Sequence, residues 1–184
     1  MKAKVNKVAI QLVEGNPLSV ADAGLVLQTD PNLTVAEELS ALAGPEVLQE
    51  CVQIGWCEVG SAVITNPGQL PVERLIHVVG PRWGEGSERG KLANATWKCL
   101  QLAEEDRLPS LVMPAISTGT MGYPLENCAK TMLERIIDFT FEDPKYLRTI
   151  IICLETQTAY NVFRQEMKLQ LQELKATNQG KVQV

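Results

Sequence analysis

The stretch Leu111–Pro124 constrains the fold of this chain more than any other. An apolar run of strand length passes into a turn of serine, threonine and glycine, and Pro124 then opens a segment with helical periodicity. Gly119 and Gly122 allow positive φ angles and a close approach of the backbone to a ligand, so successive N–H groups can converge on one anion. The order of strand, glycine loop and helix start therefore predicts either a phosphate-binding loop or an ordinary connection in an α/β fold.

Strand-like and helix-like segments alternate along the rest of the chain, with short connections between them. The predicted strands are 5–13, 23–28, 60–65, 74–79, 111–116 and 147–154, and the predicted helices are 34–44, 45–53, 91–106, 125–139 and 158–175. This alternation predicts a largely parallel sheet that is covered on both faces. Ligands of such sheets bind beyond the carboxyl ends of the strands, so we expect the loops after Gln28, Ile116 and Leu154 to meet at one edge.

The length of 184 residues predicts one domain with a sizeable core, which we place at residues 1–176, followed by a loose C-terminal tail at 177–184. The formal charge of −5, without a block of like charges, argues against a broad nucleic-acid-binding surface. The chain has neither a signal-peptide core nor an apolar run of transmembrane length. We therefore expect a cytoplasmic protein with no membrane partner.

The five cysteines fall mostly within apolar patterns, which predicts buried thiols in a reducing compartment. They lack the Cys-x-x-Cys spacing, and His77 is the only histidine. The sequence therefore predicts no metal site and no cofactor. His77 lies inside a predicted strand, where a structural role is the expected one.

Three blocks of the chain resemble those of one family. The block PAISTGTMGYP at residues 114–124 looks like the second phosphate loop of macro domains, the modules that bind ADP-ribose. Leu70-Pro71 with IHVVGPRW at 76–83, and the segment from Glu50 to Thr65, are similar to two further macro-domain blocks in the same order. The resemblance covers residues 8–165 and implies a three-layer α/β/α sandwich around a central mixed, mostly parallel sheet.

The resemblance also implies a ligand site in the second loop. No lysine or arginine lies between Leu108 and Asn127, so backbone amides and hydroxyls would hold an anion there. Tyr123 is expected to shape the far end of the groove. The residues implied to wrap a pyrophosphate are Ser117, Thr118, Gly119, Thr120, Met121 and Gly122.

Two positions implied to contact adenine depart from the family pattern. Asn16 stands where macro domains have the aspartate that accepts a hydrogen bond from the adenine amino group. It either accepts through its carbonyl oxygen or only shapes a turn before Pro17. Leu154 stands where many members stack an aromatic ring, and it offers an apolar face instead. Tyr160 either compensates for the missing ring or packs in the core.

The first ligand loop departs further. Macro domains carry Val-Asn-Ala-Ala-Asn and a run of glycines there, whereas this chain has no glycine between Gly24 and Gly44. Asp30 or Asn32 either replaces the asparagine that faces the distal ribose or belongs to a simple turn. Both are therefore weak candidates for catalysis. We attribute Glu37 to a capping box with Thr34.

Three hypotheses follow. The favoured one is a binding module for ADP-ribose, a related nucleotide diphosphate or an ADP-ribosylated protein, with weak or no catalysis. The second is an ADP-ribosyl hydrolase or O-acetyl-ADP-ribose deacetylase with an unconventional first loop. The third is a structural or interaction module that has lost ADP-ribose, with an oligomer formed through the last helix and its apolar positions Val162, Phe163, Met167, Leu171 and Leu174.

Overall fold

The computed structural model describes all 184 residues, which form one mixed sheet of eight strands with helices on both faces. The strands are β1 Lys2–Val5, β2 Val8–Glu14, β3 Gly24–Gln28, β4 Ser61–Thr65, β5 Arg74–Val79, β6 Ser110–Met113, β7 Thr149–Leu154 and β8 Val182–Gln183. The helices are α1 Pro17–Val20, α2 Glu37–Ala43, α3 Pro45–Ile54, α4 Glu88–Glu105, α5 Leu125–Thr140 and α6 Gln157–Ala176. None of these helices is both long and apolar enough to cross a membrane.

The strand order is β4-β5-β3-β6-β7-β2-β1-β8. The five strands from β5 to β2 in this order are mutually parallel, and β4, β1 and β8 pair antiparallel at the two sides. The sheet is therefore mixed and mostly parallel, as expected. Because the five parallel strands run the same way, the loops that follow β2, β3, β5, β6 and β7 lie along one edge.

Two apolar layers pack against the sheet and confirm the three-layer sandwich. The larger cluster joins one face of the sheet to α4, α5 and α6. The smaller cluster lies on the other face, beneath α2 and α3, where Val47 and Cys51 pack with strand residues such as Leu25 and Leu75. The buried residues of α5 recur every three or four positions, which is the pattern of an amphipathic helix. They are Cys128, Ala129, Met132, Leu133, Ile136 and Ile137.

The first predicted strand, 5–13, is wrong in its extent, because the structure has a hairpin there. Val5 pairs with Val8, and the two residues between them form the turn. Asn6 takes the left-handed conformation with φ 56°, which asparagine tolerates better than most residues. The apolar pattern continues on both sides of this turn and therefore hides it.

The predicted capping box at Thr34 is also wrong. α2 begins after Ala36, which makes no side-chain capping bond. The N–H of Thr34, which the Glu37 side chain would accept in a capping box, instead donates to Asp30 Oδ1 at 3.1 Å. The predicted break between the two helices is confirmed at Gly44, whose φ is 78°.

The C-terminal residues, expected to be a loose tail, instead add a strand to the sheet. Val182 pairs with Val5 in β1. The backbone N–H of Asn6 donates to Lys181 O at 2.7 Å, and the Asn6 side chain accepts from Lys181 N–H at 3.1 Å. These bonds hold the segment 181–183 against the first hairpin.

The apolar positions of the last helix face the core. Phe163, Met167 and Leu171 are fully buried, and Val162 and Leu174 are partly buried against the same cluster. Leu169 is the one large apolar side chain that α6 leaves exposed. The face that suggested an oligomer therefore packs inside the molecule.

Candidate functional site

A groove runs along the sheet edge where β3, β6 and β7 end. It consists of two cavities, of about 310 and 430 Å³, which share Gln28 and Gly119 in their walls. Pro17, Leu154 and Ala159 are among the apolar residues that line the first cavity. The lining of the second is mostly polar: Gln28, Thr29, Asp30, Thr34, Ala36, Gly80, Ser117, Gly119, Thr120 and Met121.

The second loop, residues 114–124, closes on itself through its own backbone. Tyr123 N–H donates to Ser117 O at 2.9 Å, and Gly122 N–H donates to Gly119 O at 3.1 Å. Gly122 has φ 74°, and Ser117 has φ 67°, a left-handed conformation that a serine rarely adopts. These two bonds fix the loop without using the three amides at its tip.

The tip of the loop presents three consecutive N–H groups, those of Gly119, Thr120 and Met121, that donate to no acceptor in the protein. All three residues line the second cavity. A Cβ added to Gly119 would meet nothing within 4 Å, so the backbone is open to the groove at this point. Neighbouring amides of this kind can bind an anion without any cationic side chain.

Three residues outside the loop hold it in place. Gln28 Oε1 accepts the Ser117 N–H at 2.7 Å and so ties the end of β3 to the loop. The Ser117 side chain lies against Gly80, since a Cβ on Gly80 would approach Ser117 Oγ to 2.2 Å. Met121 O accepts the N–H of Trp83 at 2.9 Å. The supporting roles of Gln28, Gly80 and Trp83 are not predicted from the sequence, although the last two lie in a block that resembles the family.

Tyr123 does not shape the far end of the groove, contrary to the expectation from the sequence. Its ring is buried and meets Trp83 edge to face, with the ring centroids 5.0 Å apart. Both rings line a separate cavity on the other side of the loop, together with Asn127 and Lys130. Tyr123 therefore supports the loop from behind and does not contact the groove.

Asn16 lies at the start of α1 and caps it. Its Oδ1 accepts the N–H of Leu18 at 3.0 Å, and it lines neither cavity of the groove. The turn interpretation of Asn16 therefore describes this structure, and the neighbouring Pro17 provides the contact with the groove. Leu154 lines the first cavity.

Tyr160 does not replace the missing aromatic ring at the groove. Its hydroxyl accepts a hydrogen bond from the amino group of Met1 at 2.8 Å. The side chain is partly buried against the larger apolar cluster. The core-packing interpretation of Tyr160 is the one that fits.

In the first loop, residues 29–36, the structure separates the two catalytic candidates. Asp30 lines the second cavity, whereas Asn32 is exposed outside the groove. Asp30 Oδ1 accepts both the N–H and the hydroxyl of Thr34, at 3.1 and 3.0 Å. The hydroxyl bond above all holds the pKa of the Asp30 carboxyl below its usual value. Asp30 is therefore a carboxylate at neutral pH.

His77 and the cysteines lie apart from the groove. His77 Nε2 lies 2.8 Å from Thr65 Oγ1 and 4.0 Å from Cys51 Sγ. Burial lowers the pKa of His77 to about 4, and burial also raises the pKa of the Cys51 thiol. Both groups are neutral at pH 7, so they form no thiolate–imidazolium pair. All five cysteines are buried free thiols, as predicted.

Comparison with known proteins places these features in context. The family model described as "Macro domain" matches residues 28–132. An O-acetyl-ADP-ribose deacetylase of Enterobacter sp. (strain 638) is 33% identical over 163 residues, which cover 83% of this chain and 91% of that protein. In seven further curated relatives the matched part is 56–73% of their own length.

Two solved structures share the fold. The macrodomain of Oceanobacillus iheyensis with ADP superposes with a TM-score of 0.85 at 26% identity, covering 94% of this chain and 97% of that chain. The Trypanosoma brucei macrodomain in complex with ADP-ribose superposes with a TM-score of 0.76 at 25% identity. That match covers 85% of this chain and 68% of the other.

Proposed function

The chain belongs to the macro-domain family, and from that premise we propose that it binds ADP-ribose or a related nucleotide diphosphate in the groove. The observation that carries the proposal is the set of three unpaired N–H groups of Gly119, Thr120 and Met121. They lie in the wall of a groove whose first cavity, the apolar half, has more apolar residues in its lining than the second, the polar half. A nucleotide diphosphate has the matching parts, a base, a pyrophosphate and a polar end.

The backbone amides supply the binding energy for the pyrophosphate. Neither cavity of the groove has a lysine or arginine in its lining, and Asp30 and Glu155 are the charged residues there. A hydrogen bond to a charged group contributes on the order of 1.5–3 kcal/mol. Three such bonds supply much of the roughly 8 kcal/mol that micromolar affinity requires. We therefore expect the affinity for a nucleotide to depend more on its pyrophosphate than on its base.

The apolar half of the groove suits the adenine ring, with less discrimination than a stacking aromatic would give. Leu154, Ala159 and Pro17 provide an apolar wall. The Asn16 oxygen already caps α1 and adds no charge that would select the adenine amino group. We therefore propose that this chain distinguishes bases weakly and accepts ADP with an affinity close to that for ADP-ribose.

Catalysis in this groove is proposed to be weak or absent. A general base works best when its pKa lies near the working pH. The pKa of Asp30 is shifted the other way, because Thr34 stabilises the charged form. Asn32 does not offer an alternative catalytic group, since it is exposed outside the groove.

One observation favours a second candidate function, removal of the acetyl group from O-acetyl-ADP-ribose. The relative named for that reaction matches 83% of this chain. In this candidate Asp30 positions the attacking water in the second cavity. If so, turnover by the wild type should exceed that of an Asp30→Ala, Asn32→Ala double variant by at least about tenfold. Equal rates of acetate release would remove this candidate and leave binding untouched.

The binding proposal is tested by calorimetric titration with ADP-ribose, ADP and AMP. A Gly119→Glu variant places a carboxylate where the backbone is open to the groove, so it should abolish binding of all diphosphates. Gly90→Glu is the matched control, because Gly90 is equally open but lies on α4, away from the groove. Binding that is unchanged in Gly119→Glu, or no heat from any nucleotide with a folded wild type, would refute the proposal.

A further inference from the structure

The segment from the end of α2 to the second residue after α3 carries an unusual concentration of exposed apolar side chains. Half of the ten large hydrophobic side chains that the molecule exposes lie in this one segment. We call them the α3 surface, and they are Leu42, Leu48, Val52, Ile54 and Trp56. Val52 and Trp56 are 70% and 60% exposed. Exposed apolar side chains that are concentrated in one segment in this way indicate an interaction site.

The apolar residues of α3 lie on two sides of the helix. Val47 and Cys51 are buried and hold the helix on the sheet. Leu48 and Val52, which are also one turn apart, are adjacent on the helix and exposed. The core contacts of α3 therefore do not require the apolar character of Leu48 and Val52.

The segment of the chain that carries this surface is acidic. Residues 8–73 contain nine carboxylates and no lysine or arginine, so all 17 cationic residues of the chain lie outside this range. Glu37 and Glu38 in α2 and Glu46 in the first turn of α3 are exposed. A partner of the same sign would be repelled, and a cationic one would be attracted.

We propose that the α3 surface docks a cationic amphipathic segment of a partner protein. Apolar side chains of that segment would cover Val52 and Trp56, and its lysines or arginines would face the surrounding carboxylates. The proposal is independent of nucleotide binding. The helix that leads to this surface, α2, begins directly after Ala36 in the wall of the second cavity.

A second copy of this chain fits the surface less well. Its cationic patch is formed by Lys2, Lys4, Lys7 and Arg148, around a cavity of about 490 Å³ whose one apolar lining residue is Ala9. That patch matches the charge of the α3 surface but has no large apolar side chain to cover the tryptophan. The two surfaces also differ, so their contact would be head-to-tail and would not close a dimer.

The proposal is tested with a fluorescein-labelled amphipathic peptide of lysine and leucine, about 18 residues or five helical turns long. A glutamate and leucine peptide of the same pattern and a lysine and serine peptide serve as comparisons. Fluorescence anisotropy with the full chain should show the lysine and leucine peptide binding at least about tenfold more tightly than either. Its binding should also shift the emission of Trp56 to shorter wavelength, a shift that a Trp56→Phe variant lacks.

Substitutions in the α3 surface test whether the lysine and leucine peptide binds there. A Leu48→Ser, Val52→Ser double variant should weaken binding of the lysine and leucine peptide about tenfold. Leu169→Ser on α6 is the matched control, since Leu169 is 55% exposed and distant in the fold, and it should leave binding unchanged. An equal loss in both variants, or equal binding of the glutamate and leucine peptide, would overturn the proposal. Self-association in sedimentation that the double variant abolishes would also overturn it, in favour of a second copy.

Discussion

The second loop and the first loop both line the polar cavity of the groove, but they use their hydrogen bonds in opposite ways. In the second loop, two backbone bonds close the turn and leave the N–H groups of residues 119–121 free. In the first loop, Asp30 Oδ1 accepts from the N–H and the hydroxyl of Thr34, and the Thr29 hydroxyl donates to Thr34 O. The first loop therefore satisfies its own polar groups and presents a carboxylate to the cavity.

One wall of the groove therefore offers free amides that can accept an anion, whereas the other presents a carboxylate. The second loop depends on distant residues for its shape, since its anchors Gln28 and Gly80 are far away in the chain. The first loop is held mainly by bonds between residues at most five positions apart. Changes to the supports of the second loop should consequently cost more function than changes within the first loop.

The largest effect is expected from Gly80→Ala. The new Cβ would lie 2.2 Å from Ser117 Oγ and 2.6 Å from Ile116 Cγ2, so the loop must move. Overpacking of this kind costs about 1–3 kcal/mol in the free energy of unfolding. Because the movement displaces the loop that carries the free amides, we expect ADP-ribose affinity to fall about a hundredfold in calorimetry.

A second substitution tests the cause of that loss. Ser117→Ala in the Gly80→Ala background removes the closer of the two clashes and should recover part of both affinity and stability. Gly90→Ala, at an open position on α4, should leave affinity as it is. An unchanged affinity in Gly80→Ala would show that the second loop does not depend on this contact.

A smaller effect is expected from Gln28→Leu. The substitution removes the acceptor of the Ser117 N–H, whose loss should lower the free energy of unfolding by about 1 kcal/mol and ADP-ribose affinity about tenfold. Gln28→Glu keeps an acceptor but adds a charge to both halves of the groove. It should therefore retain thermal stability and still lose affinity. If Gln28→Leu binds as tightly as the wild type, the bond between the strand and the loop has no role in binding.

The sequence predicts much of this architecture because most strands are continuous apolar runs. β3, β4 and β5 lie within one residue of their expected limits. The hairpin of β1 and β2 is hidden, since its apolar pattern continues through the turn at Asn6. β8 has two residues and therefore no periodicity that a sequence can display.

The candidate site, like the fold, is predicted by the sequence only in part. The glycine loop is visible in the sequence because its residue types and spacing are local. The roles of Gln28 and Gly80 are not, because each depends on where Ser117 lies in the folded chain. The capping box at Thr34 fails for a local reason, since Asp30 accepts the Thr34 N–H that Glu37 would accept in the box. Sequence patterns thus identify the loop that is proposed to bind the ligand, whereas the structure identifies the residues that hold this loop in place.

The smallest effect, and one of opposite sign, is expected from Asp30→Asn in the first loop. The substitution keeps an oxygen that can accept from Thr34 and removes a carboxylate from the cavity that would hold the pyrophosphate. At low salt, affinity for ADP-ribose should rise about two- to fivefold, because an exposed charge contributes on the order of 1 kcal/mol or less. Added salt should reduce the gain.

The pH dependence of Asp30→Asn separates charge from shape. The folded state holds the pKa of Asp30 below its usual value of 3.8, so the charged form stabilises the fold. That stabilisation is fully present well above the usual pKa and is lost as the pH falls through the lower, folded value. The melting temperatures of wild type and variant should therefore differ at pH 6 and converge under acid conditions, below the usual pKa. A loss of affinity in Asp30→Asn at neutral pH would mean that the carboxylate contacts the ligand, and the two walls of the groove would then be partners in binding.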